Sequence, residues 1–244
     1  MTARHREEKA ASFGRVVGDY QHGRPAYPMA AVHWLLEHGA RVVDAGAGTG
    51  KFTASAASLV PEVVAVEPQE TMVRQLSRSV PAARCLCARA EALPLVSGWA
   101  DVVVAAQAFH WFDQERALRE IARVLRPAGR LSLVWNVRDE SVEWVAELSR
   151  IAGADNSVET RRGLQRIQGF GAFETRVFRW VQVLDRDSLI AHVRSRSNVA
   201  SLPVLEREKV IGEVARLCDT HGDLAARDRV ELPYTTEAYR APKL

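Results

Sequence analysis

Five short apolar runs, separated by stretches of helix length, constrain this chain more than any other feature. They are Arg41–Ala45, Val63–Glu67, Ala83–Cys87, Asp101–Ala106 and Leu131–Trp135. The fourth reads DVVVAA and has no alternating polar face, so its strand is covered on both sides. Between the runs lie an Ala/Ser-rich helical stretch at Lys51–Leu59 and another at Gln69–Ser79. Asp113 is placed to cap a third helix, in which Leu118, Ile121, Ala122 and Leu125 recur at i, i+3, i+4 and i+7 before Arg126-Pro127-Ala128-Gly129 stops it. Strand and helix alternating at this spacing require right-handed crossovers and a parallel sheet, hence an α/β fold.

The flanks differ. Residues 1–26 are polar, with glycines at 14, 18 and 23, and read as an arm with little to bury before cofactor binds. Pro28 opens a helix to about His38, and Gly39 ends it. After Asn136 a helix is expected over Ser141–Ala152, a longer strand over Thr175–Leu184, and helix over Asp187–Gly222 with breaks at Ser197–Pro203. Arg229–Tyr234 is the last expected strand. This gives an arm and first helix at 1–38, a cofactor-binding core at 39–137, and at 138–244 the rest of the same domain, with a helical lid at about 186–222.

A chain of 244 residues, 47% hydrophobic and 26% charged, suits one such domain. The net charge of +3 comes without any run of like charges, which argues against a nucleic-acid surface. Three cysteines with no further ligands nearby predict reduced core thiols, no metal, and a cytoplasmic setting. The N-terminus lacks an apolar leader segment, and no stretch is apolar enough to span a membrane.

The run Val42-Val43-Asp44-Ala45-Gly46-Ala47-Gly48-Thr49-Gly50 ends a strand and opens a helix. Gly46, Gly48 and Gly50 allow a tight turn and close approach of a ligand to the backbone. The spacing is G-x-G-x-G, which is neither the dinucleotide fingerprint nor a phosphate-binding loop, since Lys51 is followed by Phe52. Asp44 would repel a pyrophosphate but suits a ligand with positive charge. Glu67, with Pro68 beside it, ends the second strand where a carboxylate accepts from both ribose hydroxyls. A ribonucleoside with a cationic tail and no phosphates describes S-adenosylmethionine.

On the residues DAGAGTGKFT (44–53), VEPQETM (66–72), ARAEALPL (88–95), FHWFD (109–113), RVLRPAGRLSLVWN (123–136) and YQHGRPAYP (20–28), the chain resembles the class I S-adenosylmethionine-dependent methyltransferases. Within them it is similar to the methyltransferase type 11 branch, which includes trans-aconitate methyltransferase-like proteins. The resemblance implies a Rossmann-like three-layer sandwich with a mostly parallel seven-stranded sheet, its last strand antiparallel. It also implies that S-adenosylmethionine is consumed and S-adenosylhomocysteine formed. By the same resemblance Asp44 and Gly46 lie near the methionine moiety, Glu67 binds the ribose, Ala90 and Glu91 hold the adenine edge, and Gln107 lies below the sulfonium. Many relatives have glycine where this chain has Arg89.

For the chemistry, His110 is the candidate catalytic residue, as a base or as a group that orients the acceptor. Tyr20, Arg24 and Tyr27 on the arm, Trp111, and Asn136 and Arg138 after the fifth strand are candidates for the acceptor pocket. The arginines suit an anionic small molecule. Arg194, Arg196 and His192 in the lid rank lower. O-methylation of a carboxylate or hydroxyl is the expected reaction; the rival is a non-catalytic protein that keeps the cofactor fold. A nicotinamide oxidoreductase conflicts with the glycine spacing and Asp44. No Asn-Pro-Pro-aromatic tetrapeptide suggests action on nucleic acid.

Overall fold

The valine-rich runs become neighbouring strands of one seven-stranded sheet, ordered β3-β2-β1-β4-β5-β7-β6, in a computed structural model that describes residues 25–153, 157–164 and 167–244. The strands are β1 (Arg41–Ala45), β2 (Glu62–Glu67), β3 (Arg84–Cys87), β4 (Ala100–Ala106), β5 (Leu125–Arg138), β6 (Glu174–Leu184) and β7 (Val230–Pro242). The first five pair in parallel, with Val42 opposite Val63 and Val102. The helices are α1 (Met29–Leu36), α2 (Lys51–Ala57), α3 (Glu70–Ser79), α4 (Gln114–Val124), α5 (Glu143–Ala152), α6 (Val158–Arg162), α7 (Arg186–Arg194), α8 (Ser197–Ala200) and α9 (Val204–Thr220). None of these described helices is long and apolar enough to cross a membrane.

The described residues fall into two compact units, one drawn from 26–136, 157–164, 167–178 and 236–244, the other from 25, 137–153 and 179–235. In the first, Val32, Leu35, Val42, Phe52, Val63, Val102, Val104 and Val134 form an apolar core. Strand β4 is buried along nearly its whole length, as a run without polar alternation requires. In the second, Trp144, Leu148, Leu189, Val193, Val214 and Leu232 form a separate core. Of the break expected over Ser197–Pro203, only Ser201–Pro203 is open: Ser197–Ala200 is helix α8, and a second break falls before it at Ser195–Arg196.

Two expectations are corrected. Strand β5 begins at Leu125, not Leu131, because the Arg126–Gly129 stop is itself strand interrupted by a bulge. Ala100 pairs with Leu125 but Val102 with Arg130, and Ala128 takes a left-handed φ of 61° to absorb the extra residues. Strand β7 runs on from Tyr234 to Pro242. Its charged residues hid the strand pattern because the fold pairs them: Glu237 with Arg161, and Arg240 with Glu37 and Glu174.

The amino ends of the strands are tied by Asp101. Its Oδ2 accepts from the backbone N–H groups of Ala40 and Arg41, each at 2.8 Å, and Oδ1 pairs with Arg126. Burial pushes this carboxyl up, but the two backbone donors and Arg126 together hold it below its ordinary value. Asp101→Ala should therefore lower unfolding stability by about 1–3 kcal/mol in urea titration at neutral pH. The wild-type advantage is present above the unfolded carboxyl value and lost as pH falls through the lower folded one. An unchanged urea midpoint at neutral pH would show that the two N–H groups are satisfied without it.

Candidate functional site

Because β1 turns outward to β2 on one side and the chain crosses to β4 on the other, the carboxyl ends of β1 and β4 flank the switch point of the sheet, where open α/β sheets hold ligands. Three segments meet there: the glycine turn after β1, the end of β2, and residues 107–113 after β4.

The glycine turn is built from left-handed residues. Gly46, Gly48 and Gly50 have φ of 74°, 57° and 89°. The backbone N–H groups of Gly46 and Ala47 donate to Val66 O at 2.8 and 3.1 Å, locking the turn to the end of β2. Gly46 is required for a second reason: a Cβ there would lie 2.6 Å from Ala108 Cβ and 3.2 Å from Phe112 Cε1. The turn and the 107–113 segment are thus packed against each other through that hydrogen atom.

Asp44 is fully buried. Its Oδ2 accepts from the Thr53 hydroxyl at 2.6 Å, and its Oδ1 has no hydrogen-bond partner among the described residues. Burial raises this carboxyl to about 7, with the Thr53 hydrogen bond pulling down and the nearby Glu67 charge pushing up. The neighbouring Thr49 hydroxyl is likewise buried with no partner among the described residues. Sequence reasoning did not mark Thr49 or Thr53, although both are polar residues at a strand-to-helix turn.

Glu67 is also buried, and its carboxyl is raised by desolvation against two backbone donors. Gly48 N–H reaches Oε2 and Gln69 N–H reaches Oε1, each at 3.0 Å. Those bonds fix the carboxylate and leave each oxygen a further lone pair. Pro68 is exposed, and its carbonyl accepts from Cys87 Sγ at 3.6 Å.

Ala90 is buried, and Glu91 spends one oxygen on the backbone N–H of Asp113 at 2.8 Å while the other lies 3.6 Å from Arg89 Nε. Glu91 therefore ties the 88–91 segment to the start of α4. Asp113 in turn caps α4 by accepting from Arg116 N–H. Gln107 follows β4 with φ of 56°, a left-handed conformation that a non-glycine residue adopts only under constraint. Its N–H donates to Val134 O and its Nε2 to Asn136 O at 3.0 Å.

His110 is half-buried in a 3-10 turn at Phe109–Trp111, its ring tilted on Trp111 at 4.8 Å. Its Nδ1 accepts from the Trp135 indole N–H at 3.3 Å. The aromatic cluster is divided: Phe109 and Phe112 are buried edge to face at 5.9 Å, whereas His110 and Trp111 remain half-exposed.

The acceptor-pocket candidates have mixed placements. Tyr27 is buried and meets Phe52 edge-on at 5.4 Å, within the apolar core. Asn136 is buried and its amide is committed: Nδ2 donates to Ala26 O at 3.0 Å and Oδ1 accepts from Thr236 at 2.6 Å. Arg138 is buried in the second unit. There Arg194 faces Glu208 at 3.8 Å, and His192, buried, shares a 3.0 Å hydrogen bond with the Tyr234 hydroxyl. Trp180 stacks on Tyr234 at 5.1 Å. Tyr20 and Arg24, with the rest of the expected arm up to Arg24, lie outside the described residues.

A family model described as a methyltransferase domain, Methyltransf_11, matches residues 43–133. An uncharacterized methyltransferase of Mycobacterium tuberculosis is 42% identical over 237 residues, 97% of each chain. An uncharacterized methyltransferase-like protein of Schizosaccharomyces pombe is 34% identical over 244 residues, 95% of each. A solved structure from Anaeromyxobacter dehalogenans, assigned as a type II methyltransferase, superposes with a TM-score of 0.69 at 25% identity, covering 90% of this chain and 97% of its own.

Proposed function

The chain belongs to the class I S-adenosylmethionine-dependent methyltransferases, in their type 11 branch, and on that premise we propose that it methylates a small molecule at a carboxylate or hydroxyl oxygen. The observation that carries the cofactor part of this reading is the buried Oδ1 of Asp44, which has no partner among the described residues and sits at the strand end where the glycine turn begins. A desolvated carboxylate without a cation is costly, and a ligand with an ammonium or sulfonium group removes the cost.

These residues fit S-adenosylmethionine. Asp44, Thr49 and the Gly46–Gly50 turn would hold its cationic end, Glu67 its ribose, Ala90 and the segment tied by Glu91 its adenine, and Gln107 the region below the sulfur. Bound there, it supplies an electrophilic methyl group. The chain's own contribution is alignment and exclusion of water. His110 and Trp111 would face the acceptor from the end of β4. The acceptor in this reading is a small molecule, with no nucleic-acid or membrane partner, and the free cysteines suit the cytoplasm.

A relative named malonyl-[acyl-carrier protein] O-methyltransferase, from Methylococcus capsulatus, is 37% identical over 110 residues. The match covers 43% of this chain and 40% of that protein, and the name supports oxygen as the target.

The test is transfer of labelled methyl from S-adenosylmethionine to a panel of carboxylic acids, phenols and amines. Base-labile methyl on one or more acids is expected, and His110→Ala should reduce the rate about 10- to 100-fold. Methylation confined to amines would overturn the O-methyl reading. Cofactor binding with no transfer to any acceptor would favour the non-catalytic alternative.

A further inference from the structure

We infer that Trp135 is a positioning residue: its indole N–H holds His110 in the tautomer that carries its proton on Nε2, so that His110 presents a donor, not a base. On the reading that His110 meets the acceptor, this narrows the acceptor to an oxygen that is already anionic, a carboxylate.

The argument begins with donor types. An indole nitrogen only donates, so at 3.3 Å from Trp135 Nε1 the His110 Nδ1 is the accepting, unprotonated nitrogen. A neutral imidazole has one N–H, which must then be on Nε2. Trp135 itself has little freedom to turn. It is fully buried in β5, and Tyr239 of β7 meets its ring edge-on at 5.8 Å and 77°. The Tyr239 hydroxyl donates to Glu237 Oε2 at 2.7 Å, and the same oxygen pairs with Arg161 Nε at 2.9 Å. Burial and the Glu237 carboxylate both push the Tyr239 phenol up, so it stays a donor. An ion pair thus anchors a phenol, the phenol anchors an indole, and the indole sets the imidazole.

An Nε2–H cannot remove a proton from a hydroxyl or an ammonium. It can hydrogen-bond a carboxylate and hold one oxygen in line. That oxygen then forms the new O–C bond, the C–S bond breaks with its electron pair kept by sulfur, and no proton is transferred. Alignment without base catalysis is all a carboxylate requires.

The test reads the tautomer directly and needs no substrate. In protein labelled with 15N in histidine and tryptophan side chains, His110 (assigned by its loss in His110→Gln) should show the Nε2–H shift pattern near neutral pH. A scalar coupling across the hydrogen bond to Trp135 Nε1 should accompany it. Trp135→Phe should abolish the coupling and average the two tautomers, with cofactor affinity retained. It should also lower kcat on a carboxylate acceptor about three- to tenfold with little change in KM. A proton on Nδ1 in the wild type, or an unaltered Nε2–H pattern in Trp135→Phe, overturns the inference. If Trp135→Phe does not fold, the wild-type coupling decides, its presence supporting and its absence overturning. A locked tautomer in a protein that methylates no carboxylate overturns the acceptor reading and leaves the positioning role standing.

Discussion

Asp44→Asn is expected to lose about 100-fold or more in affinity for S-adenosylmethionine while the ligand-free protein becomes no less stable. The two halves of that result have one cause. Asp44 is a fully buried carboxyl raised to about 7 by desolvation first, with one oxygen lacking a hydrogen-bond partner among the described residues. In the free protein its charge is a burden. A raised folded value makes the folded state hold a proton that the unfolded state has released. Its stabilising effect is therefore full below the unfolded carboxyl value, near 4, and is lost as pH rises through about 7. Asparagine removes that loss, keeps the Thr53 contact through its amide oxygen, and resembles the protonated carboxyl. A cationic ligand wants the opposite state, so wild-type affinity should climb between about pH 6 and 8, roughly a unit either side of the folded value. The Asp44→Asn substitution should flatten that climb. Calorimetric titration with S-adenosylmethionine and S-adenosylhomocysteine, with NADH as a control, and thermal melts of the free proteins read both halves. Wild-type affinity in Asp44→Asn, or none in the wild type, would remove the cofactor assignment from this carboxylate.

Gly46→Ala should cost about 2–5 kcal/mol of stability. Two terms add. An alanine held at φ of 74° carries left-handed strain of about 1–2 kcal/mol. Its Cβ would then stand 2.6 Å from Ala108 Cβ, an overpacking of about 1–3 kcal/mol. The second term depends on a particular neighbour, so Ala108→Gly should recover part of the loss and the strain should remain. A double-mutant cycle by urea unfolding should return a coupling of about 1 kcal/mol or more between the two positions. Additive effects would mean that the turn moves away from residue 108 and the close approach is not structural.

The legible part of this molecule was the part in which backbone and burial dictate residue type. Strand β4 must be apolar on both faces, and DVVVAA announces it. Gly46 and Gly50 must be left-handed, and the G-x-G-x-G spacing announces them. The α4 cap at Asp113 follows from a short polar side chain before a periodic helix. What escaped were features that need two distant positions at once. Strand β7 looked polar beyond Tyr234 because Glu237 and Arg240 find ion-pair partners at Arg161, Glu37 and Glu174, far away in sequence. Asn136 read as a pocket residue from its place at a strand end, yet its amide is used by Ala26 and Thr236. Glu91 was tied by family resemblance to adenine, while its carboxylate bonds the Asp113 backbone. The contact between Trp135 and His110 joins residues 25 positions apart. No spacing rule marks it.

Among the described residues the three left-handed non-glycine ones, His38, Gln107 and Ala128, look interchangeable to anyone wishing to make this protein sturdier. Glycine at such a position relieves backbone strain and is a standard substitution. His38 precedes β1 and is exposed, and Ala128 lies exposed in the β5 bulge, so relief there asks for nothing in return. Gln107 stands at the opposite end of the strands, and its side chain is bonded to the Asn136 carbonyl. Relaxing it would discard the amide that the strain exists to hold. Durability and working geometry part company at that one residue, and a thermostable version of this chain would have to leave it strained.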